Sequence, residues 1–344
     1  MKAALVQGDG KLKVEECPTP EPGPEEILVK VAYCGICGSD LHMADLGIFP
    51  PGSIIGHETS GHVAAVGEGV QGWSEGDAVI VLPMDPCFAC EPCRRGDIQV
   101  CAEGIVRGYG LGGNPGGFAQ YMLVRSSMLY QVPDGMDMKL AALNEPWAVA
   151  VRGVNLSNLR VGDHAVVMGT GPIGLLCVYA LKIAGAVKIY VSEPDPFRAE
   201  KARAAGADGV FDPKQVVVAD EVRNAGGRTP DVVLDCAGTE TSIEEAAAIV
   251  GPHGRIVVLG VHMGNVALFP MNWFMKEIRL SFSLGYSLRE FESSIGQLAR
   301  GAVDPEVVVS DVVPLDEIGR AFESLHGSGH TKVLVDCQGV QYAG

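Results

Sequence analysis

The sequence predicts an α/β protein built as a doubly wound parallel sheet joined to an irregular β-rich domain. Three observations predict it. From about residue 148, apolar strand-like runs alternate with helix-like runs. A glycine-rich turn, Gly169-Thr170-Gly171-Pro172-Ile173-Gly174, stands between the first such strand and its helix. Residues 1 to 147 carry instead short β-branched runs broken by Gly and Pro.

Size and composition bound the reading. A chain of 344 residues is longer than one hydrophobic core usually serves, so two domains are expected. Hydrophobic residues at 47% and charged ones at 20% fit an ordered globular protein rather than a disordered one. The net charge of −16 argues against a nucleic-acid partner, which needs a basic patch. It also disfavours an anionic membrane surface. Met1-Lys2-Ala3 runs into Gln7, Gly8 and Asp9 before an apolar core of signal-peptide length forms, so a cytoplasmic protein is expected. His164 to Leu181 approaches membrane-span length without a charged side chain. Gly169, Gly171, Pro172 and Gly174 break it, which suits a buried strand followed by a buried helix. No internal repeat or low-complexity tract is found.

In the first part, Ile27–Val31 and Ala78–Leu82 read as strands. In the second, the strands are Ala165–Met168, Lys188–Ser192, Val232–Asp235 and Arg255–Leu259. Between them Ile173–Ala184, Arg198–Ala205 and Ile243–Val250 read as helices, Ser242 with Glu245 forming a capping box for the last. Continuous apolar strands of this kind belong to a parallel sheet covered on both faces. Arg279–Leu284 is a further strand that ends this sheet. After Ser287, the spacing of Ile318, Ala321, Phe322 and Leu325 makes Asp316–Leu325 helical, and Val333–Val335 is strand-like. Pattern alone does not assign this last segment to a domain.

The glycine turn has a chemical reading. The first glycine permits the tight turn, the second lets the backbone approach a pyrophosphate, and the third lets helix and strand pack closely. The helix N-terminus then faces phosphate charge. This is the Rossmann dinucleotide pattern. Glu193, 19 residues past Gly174 at the end of the next strand, suits the adenine ribose hydroxyls and would repel a 2′-phosphate, favouring NAD over NADP. Arg198 nearby is a residue able to accommodate such a phosphate.

Ten cysteines without a secretory context suggest metal ligands before disulfides. Cys87, Cys90, Cys93 and Cys101 form C-x2-C-x2-C-x7-C, a loop that can wrap a tetrahedral ion and leave no position open. An iron–sulfur cluster shares the early spacing but not the last interval. Cys17, Cys177, Cys236 and Cys337 read as core or surface thiols. Cys37 in Cys37-Gly38-Ser39-Asp40-Leu41-His42, with Gly56-His57-Glu58 and Glu145-Pro146, offers a thiolate, an imidazole and carboxylates for an open zinc site. Each alone is weak, because a single histidine or cysteine commonly just packs a core, and spacing does not prove that they converge.

Taken in order, these motifs resemble the zinc-containing medium-chain dehydrogenases over essentially the whole chain, most closely their sorbitol and 2,3-butanediol dehydrogenase branch. The match runs through C-G-I-C-G-S-D-L-H, G-H-E, the four-cysteine lobe, E-P-x-A-V-A, G-T-G-P-I-G and V-S-E. The resemblance implies a GroES-like catalytic domain at 1–147 with a structural zinc lobe at 85–103, a Rossmann domain at 148–286, and a return to the catalytic domain at 287–344. It implies two zinc ions per subunit and NAD(H). Cys37, His57 and Glu58 would hold the catalytic zinc, and Glu145 would be a fourth ligand or hold the metal's water. Ser39 would accept the alcohol proton and His42 pass it towards solvent, with Asp40 behind the ligands; Cys34 would be structural. The implied reaction moves a hydride between NAD and a secondary alcohol, vicinal diol or polyol, with ketone reduction in reverse. A homodimer or homotetramer is implied as well.

Two departures bear on the substrate. Trp147 stands where a leucine is more usual, and Gly104 to Gly117 is compact and glycine-rich. The first would reshape a substrate pocket and the second a loop near it. Primary-alcohol or threonine oxidation is the alternative with the same metal chemistry. A non-catalytic protein keeping the fold leaves the complete ligand and relay set unexplained, and a zinc-free quinone reductase leaves both ligand sets unexplained.

Overall fold

In the computed structural model, which describes residues 1–339, six short strands, four of them rich in valine, isoleucine and leucine, form one sheet. Its order is Gly209–Phe211, Lys188–Ser192, His164–Met168, Val232–Asp235, Arg255–Val258 and Arg279–Phe282, all parallel. The chain winds outward from His164–Met168 in both directions. The crevice therefore lies past the ends of His164–Met168 and Val232–Asp235, where such sheets bind ligands.

Alternate residues of each strand feed different cores. Ala165, Val167, Val232 and Leu234 pack with Leu175, Leu176 and Val178 of the helix Pro172–Ala184. Val166, Met168, Val233 and Ile256 pack with Val222, Ile243 and Ala247 of the helices Val218–Gly226 and Ser242–Ile249. Both faces are thus covered, as the apolar runs predict. The strand Gly209–Phe211 and the helix Val218–Gly226 escape the sequence reading; the strand is too short to carry a pattern.

One capping assignment is corrected. Ser242 and Glu245 do not form a capping box. The cap residue is Thr241, whose hydroxyl donates to Glu245 Oε1 at 2.6 Å. Ser242 lies inside the helix and donates to Asp235 Oδ2 at 2.7 Å. Asp235 is fully buried, and a buried carboxylate needs donors more than an exposed helix end does.

The second sheet is built mainly from the first part of the chain. Its order is Val309–Pro314, Lys332–Asp336, Glu26–Gly35, Glu58–Val66, Ala78–Val81 and Leu129–Gln131, with Tyr121–Arg125 also on Glu26–Gly35. Lys332–Asp336 lies antiparallel to Glu26–Gly35, Leu334 opposite Gly35. The segment after Ser287, which pattern could not place, therefore ends on this sheet. Ile318, Ala321 and Phe322 of its helix Ile318–Leu325 enter the same core.

Candidate active site

Strand register assembles the first cluster. Gly35 pairs with Glu58 in the antiparallel ladder between Glu26–Gly35 and Glu58–Val66. Cys37, just past the end of one strand, thus meets His57 and Glu58 at the start of the other. One ligand atom from each lies within 4.8 Å of the other two. Asp40, in the helix Gly38–Asp45, accepts from the Cys37 amide at 3.0 Å and places Oδ1 3.3 Å from His57 Nδ1. The two atoms make a charge contact without hydrogen-bond geometry, so Asp40 sets negative charge against Nδ1 and leaves Nε2 as the other ligand atom. Burial disfavours a charged His57, but Asp40 and the Cys37 sulfur outweigh it and hold the imidazole pKa well above its usual value.

Glu145 is buried near the same cluster, in the helix Asn144–Leu156. Burial raises its pKa to about 7, with Glu58 adding to the rise and His57 opposing it. Ser39 and His42 share the helix that Cys37 opens; Ser39 is half-buried and His42 exposed. Two further residues escaped the sequence reading. Lys332 is buried with its ammonium on Glu58, and the buried Tyr286 sets its hydroxyl beside Glu145. Lys332 comes from the C-terminal segment and Tyr286 from the loop just before it, and neither carries a local motif.

The second cluster is local. The sulfurs of Cys87, Cys90, Cys93 and Cys101 all lie within 4.8 Å of one another, and all ten cysteines are free of disulfides. Backbone amides point at these sulfurs: Cys90 N is 3.3 Å from Cys87 Sγ, and Cys87 N is 3.4 Å from Cys101 Sγ. Burial pushes Cys101 up, but the amides of Cys87 and Glu103 outweigh it and bring the thiol down to about 6. Burial and the neighbouring Cys90 and Cys101 sulfurs push Cys93 the other way, up to about 12. The lobe thus holds thiolate character at Cys101, the form that ligates metal.

The glycine turn has the expected shape. Gly169 takes φ +78°, where a side chain is strained, and a Cβ at Gly174 would collide with the Gly169 carbonyl. Nothing lies within 4 Å of a Cβ position at Gly171. Pro172 opens the helix Pro172–Ala184 there, where its missing N–H is no loss, and Ile173 follows half-buried. The space before that helix end suits a pyrophosphate. Glu193 is only 4% exposed. Its Oε2 accepts from the Thr170 amide at 2.6 Å and hydroxyl at 3.1 Å, and its Oε1 from the Asp195 amide at 2.8 Å. It therefore braces the turn itself, with lone-pair capacity left on Oε1. Arg198 Nε donates to the His330 carbonyl at 2.9 Å. Glu193, Phe211, Asp212 and Arg203 line a cavity of about 440 Å³ beside it.

The two departures acquire locations. Trp147 is fully buried in the core shared with the cofactor-sheet helices, and its indole N–H donates to Gln297 Oε1 at 2.9 Å. Any effect on a pocket runs through packing. In the glycine-rich stretch, side chains at Gly110 or Gly116 would strike the Gly56 carbonyl, and one at Gly117 would strike Thr59. That loop lies directly on Gly56-His57-Glu58-Thr59, and its lack of side chains permits the contact.

Residues 23–134 match the alcohol dehydrogenase GroES-like domain, and residues 172–300 match the zinc-binding dehydrogenase domain. The 2-dehydro-3-deoxy-L-galactonate 5-dehydrogenase of Pseudoalteromonas atlantica is 35% identical, over 99% of this chain and 100% of its own. Sorbitol dehydrogenase of Bacillus subtilis is 31% identical, over 94% of this chain and 93% of its own. Among solved structures, a protein of Sinorhizobium meliloti 1021 assigned as a zinc-binding dehydrogenase and bound to NADP superposes with a TM-score of 0.90 at 31% identity, covering 97% of this chain and 98% of that one. Matched in both domains and along almost its whole length, the chain belongs to the zinc-containing medium-chain alcohol dehydrogenases, in their sorbitol and butanediol dehydrogenase branch.

Proposed function

We propose that the chain transfers a hydride between NAD and a secondary alcohol carrying neighbouring hydroxyls, a vicinal diol or polyol, and runs in reverse as a ketone reductase. The observation that carries this reading is the meeting of Cys37, His57 and Glu58, with Glu145 beside them. A thiolate, an imidazole and a carboxylate leaving a position open are a catalytic zinc set. Cys87, Cys90, Cys93 and Cys101 make a closed, structural one. When bound, zinc polarises the substrate oxygen as a Lewis acid, and the nicotinamide takes up the hydride.

The chain's own residues do the rest. Ser39 accepts the alcohol proton, and the exposed His42 passes it to solvent. Asp40 sets its charge against His57 Nδ1. Gly169, Gly171, Pro172, Ile173 and Gly174 form the pyrophosphate cradle, and Glu193 disfavours a 2′-phosphate. We read 1–147 with 287–344 as the catalytic part and 148–286 as the cofactor part; residues 340–344 lie outside those described.

A homodimer or homotetramer accompanies this reading. The edge strand Arg279–Phe282 exposes Phe282, and the helix Pro270–Lys276 exposes Phe274 and Met275, apolar side chains suited to a second copy. No helix among the described residues is long and apolar enough to cross a membrane, and a cytoplasmic location fits the reading.

The test is a screen of NAD+ and NADP+ against paired stereoisomers of diols and simple alcohols, with Cys37→Ser beside the parent. We expect activity with secondary diols and NAD+, and loss of turnover with the fold intact in Cys37→Ser. Preference for primary alcohols or threonine, or full turnover in a metal-verified Cys37→Ser protein, overturns the proposal.

A further inference from the structure

Lys332 is 1% exposed, an unusual place for a lysine. Its ammonium donates to Glu58 Oε1 at 2.6 Å, to Glu58 Oε2 at 2.7 Å and to the Ile36 carbonyl at 2.9 Å. All three of its N–H donors are therefore engaged. The near-equal distances to both oxygens set the ammonium on the chelating edge of the carboxylate, the place a cation bound by both oxygens would take. Glu58 is itself fully buried, so bulk solvent does not screen that pair. What remains for an ion beside Cys37 and His57 is an outer lone pair.

Resting on the reading of Cys37, His57 and Glu58 as a metal site, we infer that Lys332 is a positioning residue that limits Glu58 to one-oxygen, readily exchanged ligation. Two physical effects act together. The ammonium occupies the strong edge of the carboxylate, and its charge repels a divalent ion close by in a medium of low dielectric. A ligand held this way gives up its position easily. That suits a site where a diol's second oxygen needs room on the same ion.

The test follows metal release, with no turnover required. Cobalt(II) is loaded into the parent, Lys332→Met, Lys332→Gln and Lys332→Arg, and its loss to excess chelator is timed. The single Cys37 thiolate and the four lobe thiolates give different charge-transfer spectra, so the two ions are followed separately. Lys332→Met and Lys332→Gln should release the Cys37-site ion at least about tenfold more slowly than the parent, while Lys332→Arg stays near it. Gln also keeps a hydrogen-bond donor against Glu58, which guards against a packing defect in Met; circular dichroism and NADH binding verify the fold of each. Equal or faster release in both neutral variants overturns the inference while leaving the metal site standing. A parent protein that takes up cobalt only in the lobe overturns the site reading, and this inference with it.

Discussion

Replacing Glu193 by alanine separates two roles that the structure gives one carboxylate. Glu193 accepts three hydrogen bonds, two from Thr170 and one from the Asp195 amide. Hydrogen bonds to a charged acceptor contribute about 1.5–3 kcal/mol each. The half-buried Asp195 amide can recover a bond to water, and the Thr170 hydroxyl already lies 3.4 Å from the Arg198 carbonyl. The buried Thr170 amide has neither recourse. The net cost should therefore be about 3 kcal/mol, most of it in the turn Gly169–Gly174. Local opening there should rise on the order of a hundredfold, at one decade per 1.36 kcal/mol. Hydrogen exchange of the peptide spanning that turn reads this directly. In parallel, kcat/KM for NAD+ over that for NADP+ should fall by at least about tenfold, because a negative charge next to the ribose site is gone. Glu193→Gln, which keeps an acceptor, should give the smaller exchange effect and a similar change in cofactor ratio. Unchanged exchange would refute the bracing argument. Faster exchange with an unchanged cofactor ratio would confine Glu193 to architecture.

Cys90→Ser should lower the thermal midpoint by roughly 4 °C or more, corresponding to a loss of about 2 kcal/mol or more, since a closed metal site contributes to folding; equal melting of metal-stripped lobe and parent would contradict it. Gly174→Ala forces a methyl against the Gly169 carbonyl, so stability should fall by about 1–3 kcal/mol and NADH should bind at least roughly tenfold more weakly by fluorescence titration. Asp195 caps the helix Pro196–Ala205 through the amides of Phe197 and Arg198, and Asp195→Ala should cost about 1 kcal/mol in urea unfolding at pH 7. Burial pushes that carboxyl up, but the amides of Arg198, Gly329 and Phe197 outweigh it and hold it below its ordinary 3.8. A depressed pKa stabilises above the unfolded value and fades as pH falls through the folded one. The gap between parent and variant should thus be full above about pH 3.8 and narrow steadily as pH falls further below it, and a gap that stays constant on acidification would count against the cap.

What the sequence determined by itself was whatever depends on neighbours along the chain. Alternating apolar strands and helices fixed the parallel sheet, because burial of both strand faces requires apolar residues throughout. The turn Gly169–Gly174 and the lobe from Cys87 to Cys101 were legible because each closes within one short loop. Pairing over long separations decided the rest. Nothing near Cys37 states that it meets His57 and Glu58; the register that sets Gly35 against Glu58 does. Lys332 arrives from the far end of the chain, since Lys332–Asp336 completes the sheet begun by Glu26–Gly35, and Tyr286 reaches Glu145 from a loop well over a hundred residues away. The Ser242 assignment failed for the same reason. A capping motif is a local preference worth about 1 kcal/mol, and a buried carboxylate at Asp235, invisible in the local pattern, competed for that hydroxyl and won it.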